Sequence, residues 1–347
     1  MPCYHPLDAW VHTSKKTEGG KDLILFSYHP ATCARTTPDF QVPCGRCVGC
    51  KLGKSREWSV RCMHEASLYW RNCWLTLTLN DDYRLTRDNP YSLEKGPKSE
   101  FTRFLKRLRN KFGEGIRYYY CGEYGETCFF CNKSEKDCYS KGCGNYYPWR
   151  GRPHYHVCLF NHDFDDKLYF KTINGCHHYT SDTLDKLWTD PDTGLNMGWA
   201  TISDLTPDSA AYTARYSLKK ITGDLAEEDD PITHIKHYQR IMPSGMLVDL
   251  VPEYTNMSRM PGIGKGWLDL YSKEVLDNDA VLFKECRIKP PRFYDLKLVD
   301  VDPFIVDENK FKRIDKAKNS VDNTPIRLET REYITLQRTS SLHRKEI

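Results

Sequence analysis

The segment Gly151–Phe160, with the sequence GRPHYHVCLF, constrains the fold more than any other part of the chain. Its alternation predicts a β-strand in which Tyr155 points to one face of a sheet while His154 and His156 point to the other. Two imidazoles about 7 Å apart on one face can bind the same metal ion. A pair of polar side chains on a solvated sheet face is the alternative interpretation.

A second group lies downstream, where the tripeptide Thr206-Pro207-Asp208 predicts the start of a helix. It combines a capping hydroxyl, a proline at the first helical position and a carboxylate that suits the helix dipole. The helix is expected to run to about Ile221 and to carry Tyr212, Tyr216 and Lys219 on one face. Taken alone, the tyrosines would be an aromatic stripe in the core. Together with the histidine pair, they indicate nucleophiles beside a metal ion.

A carboxylate is the third ligand that two imidazoles need to hold a divalent ion. Residues 116–121, IRYYYC, predict a strand, and Glu123 lies just beyond it. If this strand neighbours the histidine strand, Glu123 is the third ligand, and Glu126 is the alternative.

Cysteine usage indicates metal sites rather than disulfides. The chain has 15 cysteines, an odd number, and its first residues do not form a charged segment followed by an apolar one. Free thiols in a reducing, intracellular compartment are therefore expected. No apolar run approaches the length of a membrane span, which excludes an integral membrane protein of the helical type.

The first cysteine cluster is the segment Cys44–Cys50, CGRCVGC, in a basic N-terminal region. Cys44, Cys47 and Cys50 form a double Cys-x-x-Cys pattern that is typical of structural zinc, and an iron–sulfur cluster or ordinary buried thiols are the alternatives. Tetrahedral zinc needs a fourth ligand. The candidates are Cys3, His5, Cys33, Cys62 and His64.

A second cysteine cluster lies in residues 127–149, which read as an insertion between Glu123 and His154. The pattern comprises Cys128, Cys131, Cys138 and Cys143. Its short loops predict a structural zinc knuckle, and a surface loop with unpaired thiols is the alternative.

The clearest helix lies between Gly96 and Gly113, where phenylalanines and leucines recur on one face. Its other face is strongly basic and includes Arg103, Lys106, Arg107 and Arg109. Contact with DNA phosphates is one interpretation of this face, and a solvated basic surface is the other. The whole chain has a net charge of only +4, which by itself does not indicate nucleic acid.

The remaining patterns divide the chain into three predicted regions. Residues 1–73 form a Cys-rich basic region, which includes a helix from about residue 54 to 70. Residues 74–222 form the core, in which Trp74–Leu79 alternates as a half-buried strand. Residues 223–347 form a C-terminal region whose tail is polar. Its Gly-rich segment 258–266 lacks the P-loop spacing, so no nucleotide-driven motor is expected.

The His154-Tyr155-His156 strand followed by tyrosines on a later helix resembles the HUH endonuclease superfamily, and its rolling-circle replication initiators in particular. Further blocks are similar to the replication initiators of gokushoviruses, which are small single-stranded DNA phages of the microvirus group. In chain order these blocks are MPCYHP at 1–6, PCGRC at 43–47, EYG at 123–125, RPHYH at 152–156, SR at 258–259, PGIG at 261–264 and PPR at 290–292.

This resemblance implies an α+β fold, in which an antiparallel sheet of the RRM or ferredoxin-like type is flanked by helices. It implies Mg²⁺ or Mn²⁺ at His154, His156 and Glu123, and catalysis by Tyr212, Tyr216 and Lys219. The expected reaction is the nicking of single-stranded origin DNA by tyrosine attack, with a 5′-phosphotyrosine intermediate that allows the ends to be rejoined. Structural Zn²⁺ is expected in the cysteine clusters from their spacing.

The resemblance also implies partners and a place of action. These are single-stranded and replicative-form phage DNA, with reliance on host helicase and polymerase in the bacterial cytoplasm, and no membrane. A transposase or plasmid initiator of the same superfamily is one alternative function. A non-enzymatic, zinc-stabilised protein that only binds nucleic acid is the other.

Overall fold

Fourteen strands and eleven helices make up the described part of the chain in the computed structural model. The described residues are 3–20, 22–128, 130–143, 151–216, 224–229, 231, 234–242, 245–318 and 323–340. The strands are β1 Leu7–Lys16, β2 Asp22–Leu25, β3 Phe40–Val42, β4 Asn72–Thr78, β5 Arg117–Tyr124, β6 Pro153–Phe160, β7 Leu168–Ile173, β8 Cys176–Thr180, β9 Ala200–Ser203, β10 Gln239–Ile241, β11 Leu247–Asp249, β12 Tyr254–Met257, β13 Val281–Phe283 and β14 Cys286–Ile288. The helices are α1 Val48–Ala66, α2 Asp81–Arg84, α3 Glu100–Phe112, α4 Glu135–Lys141, α5 Asp182–Leu187, α6 Pro207–Tyr216, α7 Asp224–Glu227, α8 Lys265–Asn278, α9 Arg292–Leu298, α10 Pro303–Lys318 and α11 Pro325–Ser340.

A seven-stranded sheet with the order β12-β5-β6-β4-β9-β8-β7 organises the larger part of the chain. Every pair of neighbouring strands in it is antiparallel. The predicted class, α+β with an antiparallel sheet flanked by helices, is confirmed. The histidine strand β6 lies between β5 and β4, and seven of its eight residues are buried.

One face of this sheet packs against α3 and forms the main core. Tyr155 and Val157 of β6 and Leu77 of β4 are fully buried there with Phe101 and Phe104 of the helix. Complete burial of each such side chain stabilises the fold by roughly 1.5–3 kcal/mol. The helix begins where Ser99 caps it, since the Ser99 side chain accepts a hydrogen bond from the Thr102 backbone N–H.

The opposite face of the sheet packs against α6. Ala210 and Ala214 of the helix are buried beside Trp74 and Cys158 of the sheet. Trp74 Nε1 also donates a hydrogen bond of 2.9 Å to Thr213 Oγ1. Small residues on this side of α6 let the helix approach closely, which places Tyr212 against the histidine strand.

The start of α6 is as predicted from the tripeptide Thr206-Pro207-Asp208. The Ser209 backbone N–H donates to Thr206 Oγ1 at 3.1 Å, and the Thr206 N–H donates to Ser209 Oγ at 2.8 Å. This reciprocal capping satisfies donors that the first turn leaves open. The predicted end near Ile221 lies outside the described residues.

The chain separates into two compact units, one of residues 55–302 and one that joins residues up to Lys54 with residues from Pro303 onward. In the latter unit β1 pairs with β2 and β3, and the polar C-terminal segment forms α10 and α11. The three regions predicted from composition, 1–73, 74–222 and 223–347, remain predictions. Among the described residues, no helix combines the length and the apolar character needed to cross a membrane.

Candidate metal centre and tyrosine site

Glu123, His154 and His156 meet on the face of the sheet that α6 covers. Residues that pair across an antiparallel ladder share a face, and Glu123 pairs with His154 in the register of β5 and β6. Glu123 Oε1 lies 2.6 Å from His154 Nε2 and 2.8 Å from His156 Nε2. Glu123 is the last residue but one of β5. The observed strand therefore extends beyond residue 121, where the predicted strand ended.

Both imidazoles are held through their other nitrogen. His154 Nδ1 lies 3.1 Å from the backbone oxygen of Arg152, and His156 Nδ1 lies 3.1 Å from Thr76 Oγ1. Such contacts fix the tautomer and the ring orientation of metal-binding histidines. Both Nε2 atoms therefore face the carboxylate of Glu123, where one ion can contact all three ligands.

The donor set fits a divalent metal ion. The ligand atoms of Glu123, His154 and His156 all lie within 4.8 Å of one another. Glu123 Oε2 is buried and has no hydrogen-bond partner within the described residues. Burial raises the pKa of the Glu123 carboxyl, but the two adjacent imidazoles outweigh burial and hold this pKa below its usual value. Glu123 is thus a carboxylate with unused acceptor capacity, as a ligand must be.

Tyr212 lies directly against the histidine pair. Its ring centroid is 5.0 Å from that of His156, in an edge-to-face arrangement, and 5.8 Å from that of Trp74. The Arg215 guanidinium carbon lies 5.8 Å from the Tyr212 ring centroid, so a cation accompanies the phenol. Tyr216 is the last described residue of α6, and its side chain and Lys219 lie outside the described part of the chain.

The N-terminal cysteines form one group, and Cys3 supplies the fourth sulfur. Cys44 Sγ lies 4.0 Å from Cys50 Sγ, and Cys47 Sγ lies 3.9 Å from Cys3 Sγ. Four sulfurs that each lie about 2.3 Å from a tetrahedral zinc ion are separated by about 3.8 Å, which these distances match. Of the other candidate ligands, His5 contacts Glu332, Cys62 lies in the core and His64 stacks on Trp267.

The insertion also brings its four cysteines together. Cys143 Sγ lies 3.5 Å from Cys128 Sγ and 3.6 Å from Cys138 Sγ, and Cys131 completes the group. Cys138, the third position of the pattern, lies within helix α4, which begins after a Ser134 cap. Both cysteine groups can therefore hold a metal ion, as predicted, while the identity of the metal stays a prediction.

Comparison with known proteins gives relatives from three phages. The chain is 30% identical over 341 residues to a replication-associated protein of Spiroplasma virus 4, covering 92% of this chain and 88% of that protein. The chain belongs to the phage replication-associated proteins. A replication-associated protein of Bdellovibrio phage phiMH2K is 28% identical over 85% of this chain and 76% of its own length. One of Chlamydia phage 1 is 24% identical over 52% of this chain and 39% of its own length. Neither a family model nor a solved structure matches the chain.

In this replication-associated protein, the arginines of α3 are engaged within the chain. Arg103 contacts Asp190 at 3.2 Å, Arg107 donates to the Leu187 backbone oxygen at 2.7 Å, and Arg109 donates to the Ile116 backbone oxygen at 2.8 Å. Lys106 is exposed. Because α3 packs on the sheet face opposite to the metal centre, these residues lie away from Tyr212. Their contact with DNA stays a prediction.

Two residues near the site of this replication-associated protein escaped the sequence analysis. Thr76 contacts His156 although 80 positions separate them, and Arg215 accompanies Tyr212 on α6. Thr76 could have been found from the sequence of β4, because the threonines of this strand alternate with buried leucines and so share one face. Arg215 could have been found from its position three residues after Tyr212, because side chains three apart are neighbours on a helix surface.

Proposed function

We propose that this protein acts in phage replication as an initiator that nicks single-stranded origin DNA and later rejoins the ends. The observation that carries the proposal is the position of the Tyr212 ring, 5.0 Å from the His156 ring and on the same sheet face as Glu123 and His154. A nucleophile and a set of metal ligands in one place are what a tyrosine-dependent nuclease needs. The relatives, which are named replication-associated proteins, support the biological role.

The proposed reaction is an in-line attack on a DNA phosphate. The Tyr212 oxygen forms a bond to phosphorus while the bond from phosphorus to the 3′-oxygen breaks. The phenol loses its proton and the departing 3′-oxygen takes one up, which leaves a 5′-phosphotyrosine and a free 3′-hydroxyl. Because the phosphodiester is replaced by another ester, the reverse attack by a 3′-hydroxyl can rejoin a strand.

Different residues of the chain are assigned different roles in this reaction. A tyrosine hydroxyl titrates near pH 10, so it is a weak nucleophile without help. Mg²⁺ or Mn²⁺, when bound by Glu123, His154 and His156, would supply the Lewis acidity that polarises the scissile phosphate. Arg215 is positioned to neutralise phosphate charge next to Tyr212. Tyr216 and Lys219 are proposed, from the sequence, as second nucleophile and further cation.

The proposed partners follow from this chemistry. Single-stranded and replicative-form phage DNA are the substrates, host polymerase extends the free 3′-hydroxyl, and host helicase separates the strands. The bacterial cytoplasm is the proposed place of action.

The test is to mix the protein with single-stranded DNA that contains the phage origin, add Mn²⁺ and look for a protein–DNA adduct that survives SDS. We expect an adduct with the natural chain, a partial loss with Tyr212→Phe or Tyr216→Phe, and a complete loss with both. Tyr271→Phe, at an exposed position on α8, is the matched control and should leave the adduct unchanged. DNA binding without any adduct would contradict the nuclease and favour the non-enzymatic binder.

A further inference from the structure

A row of small polar side chains crosses the sheet from the metal centre toward its edge. Thr76 pairs with both His156 and Thr201, and Thr180 continues the row because its neighbour Tyr179 pairs with Ile202. Leu168 of the edge strand β7 pairs with Thr180. These threonines are half-buried, so they form a shallow floor that begins at the metal ligand His156.

Two exposed aromatic rings border this floor. Trp199 extends the ladder of β9, since the Thr78 N–H donates to its backbone oxygen at 2.8 Å, and Thr78 in turn pairs with His154. Trp199 is two positions from Thr201 and lies on the same face. Its side chain is 64% exposed, and its ring centroid lies 5.7 Å from that of Phe170, which is 42% exposed.

The strands that carry or adjoin the two rings are neutral to basic in composition. The strands β7, β8 and β9 contain no aspartate or glutamate, whereas they carry two histidines and Lys171. Lys171 Nζ lies 5.1 Å from the centroid of the Phe170 ring. Exposed rings with a lysine beside them are suited to unpaired nucleotides, whose bases stack and whose phosphates are negative.

We propose that Trp199 and Phe170 form a stacking site for unpaired DNA bases that flank the phosphate held at the metal centre. The inference rests on the proposed function, because it assigns the substrate of that same site. The short distance from the rings to the metal centre supports unpaired DNA as the ligand. One strand spacing separates Trp199 from Thr78 and one more separates Thr78 from His154, which gives roughly 10 Å in total. A bound strand can therefore reach the rings and the metal centre together. Paired bases, stacked on their neighbours in a duplex, would not use the site.

The experiment measures DNA affinity by fluorescence anisotropy of the full chain at one salt concentration with Mn²⁺ present, on probes that lack the origin sequence and are therefore not nicked. The probes are a labelled oligothymidylate and an abasic oligomer of the same length, which has the phosphates without the bases. We expect Trp199→Ala to weaken binding of the oligothymidylate roughly tenfold, since stacking contributes about 1–3 kcal/mol per base. Binding of the abasic oligomer should be the same for both chains.

The matched control is Trp70→Ala, because Trp70 is fully exposed and precedes the opposite end of β4. It should bind both probes as the natural chain does, and Trp199→Phe should keep most of the affinity. Equal affinity of Trp199→Ala and the natural chain for oligothymidylate would overturn the inference. So would an equal loss on the abasic oligomer, or a dimer in analytical ultracentrifugation that Trp199→Ala dissociates without changing DNA affinity.

The two proposals fail in different ways. An adduct in Mn²⁺ combined with binding that does not depend on Trp199 overturns the stacking site and leaves the nicking reaction standing. Binding that depends on Trp199 and on the bases, with no adduct, overturns nicking and leaves the stacking site.

Discussion

At the scale of single residues, the geometry of the candidate metal centre depends on groups outside its three proposed ligands. Thr76 and the Arg152 backbone oxygen each contact an Nδ1 atom, which turns the Nε2 atoms of the histidines toward Glu123. On the opposite face of the sheet, the Tyr155 hydroxyl donates a hydrogen bond to Glu100 Oε2 at 2.8 Å. Burial raises the pKa of Glu100 to about 7 even though Arg87 lies beside it. The strand is thus held from both faces.

Thr76→Val should weaken the metal centre while leaving its ligands in place. Valine has the shape of threonine but cannot contact His156 Nδ1, so the ring loses its fixed orientation. We expect Mn²⁺ affinity, measured by isothermal titration calorimetry, to fall roughly 10- to 100-fold. Thr201→Val changes the neighbouring strand in the same row and is the control. An unchanged Mn²⁺ affinity in Thr76→Val would show that the threonine does not orient the histidine.

The sequence allowed the grouping of Glu123, His154 and His156 to be predicted, but not the contacts that orient them. His154 and His156 share a face because they are two apart on a strand, which is a local property. Thr76 meets His156 only through the register of β4 against β6, and this register is set by the whole sheet. Cys3 likewise meets Cys44 across 41 positions. Sequence spacing alone left five candidates for that ligand.

At the scale of elements, a buried histidine of helix α1 packs against helices α8 and α9. The His64 ring stacks on Trp267 with centroids 3.6 Å apart, and its Nδ1 lies 2.8 Å from the Tyr294 hydroxyl. Burial lowers the pKa of His64 from its usual 6.5 to about 4, although a backbone hydrogen bond at Leu282 opposes it. His64 is therefore neutral in the folded protein near pH 6.

The pH dependence of stability follows from this pKa. Between pH 6.5 and 4 the unfolded chain binds a proton at His64 that the folded protein does not, so the free energy of unfolding falls as pH decreases through this window. The loss reaches about 3 kcal/mol at the lower end. His64→Gln should show a flatter dependence in urea unfolding at several pH values, and exposed His177→Gln should follow the natural chain. Parallel curves for His64→Gln and the natural chain would contradict the assignment.

Elements with strong local patterns were predicted well, and those defined by their neighbours were not. The stripe of α3 and the cap of α6 are local, and both helices begin close to the predicted residues. By contrast, α1 begins at Val48 rather than near residue 54, because Cys50 of the metal group already lies in its first turn. The edge strand β7, where exposed aromatics and a lysine replace the usual alternation, was not predicted at all.

At the scale of the whole molecule, the N-terminal cysteine group lies against the last described helix, α11. Tyr4 and Cys47 are buried with Leu328 of α11. The Tyr4 hydroxyl lies 2.8 Å from Thr335 Oγ1, and His5 contacts Glu332. A metal ion that holds Cys3 would therefore fix the start of the chain against its last described helix, so the site would stabilise a long-range contact as well as a local turn.

Cys3→Ser should loosen the contact between the N-terminal segment and α11 without affecting the central sheet. If each cysteine group holds one zinc ion, mass spectrometry of the purified natural chain gives about two zinc per chain and Cys3→Ser gives about one. Loss of the ion releases Tyr4 and Leu328, so amides of α11 should exchange hydrogen faster while those of β4 and β6 keep their protection. Cys286→Ser, at an exposed position outside both groups, is the control. Unchanged zinc content in Cys3→Ser would exclude Cys3 as a ligand, and unchanged exchange in α11 would show that the helix is held by its other contacts alone.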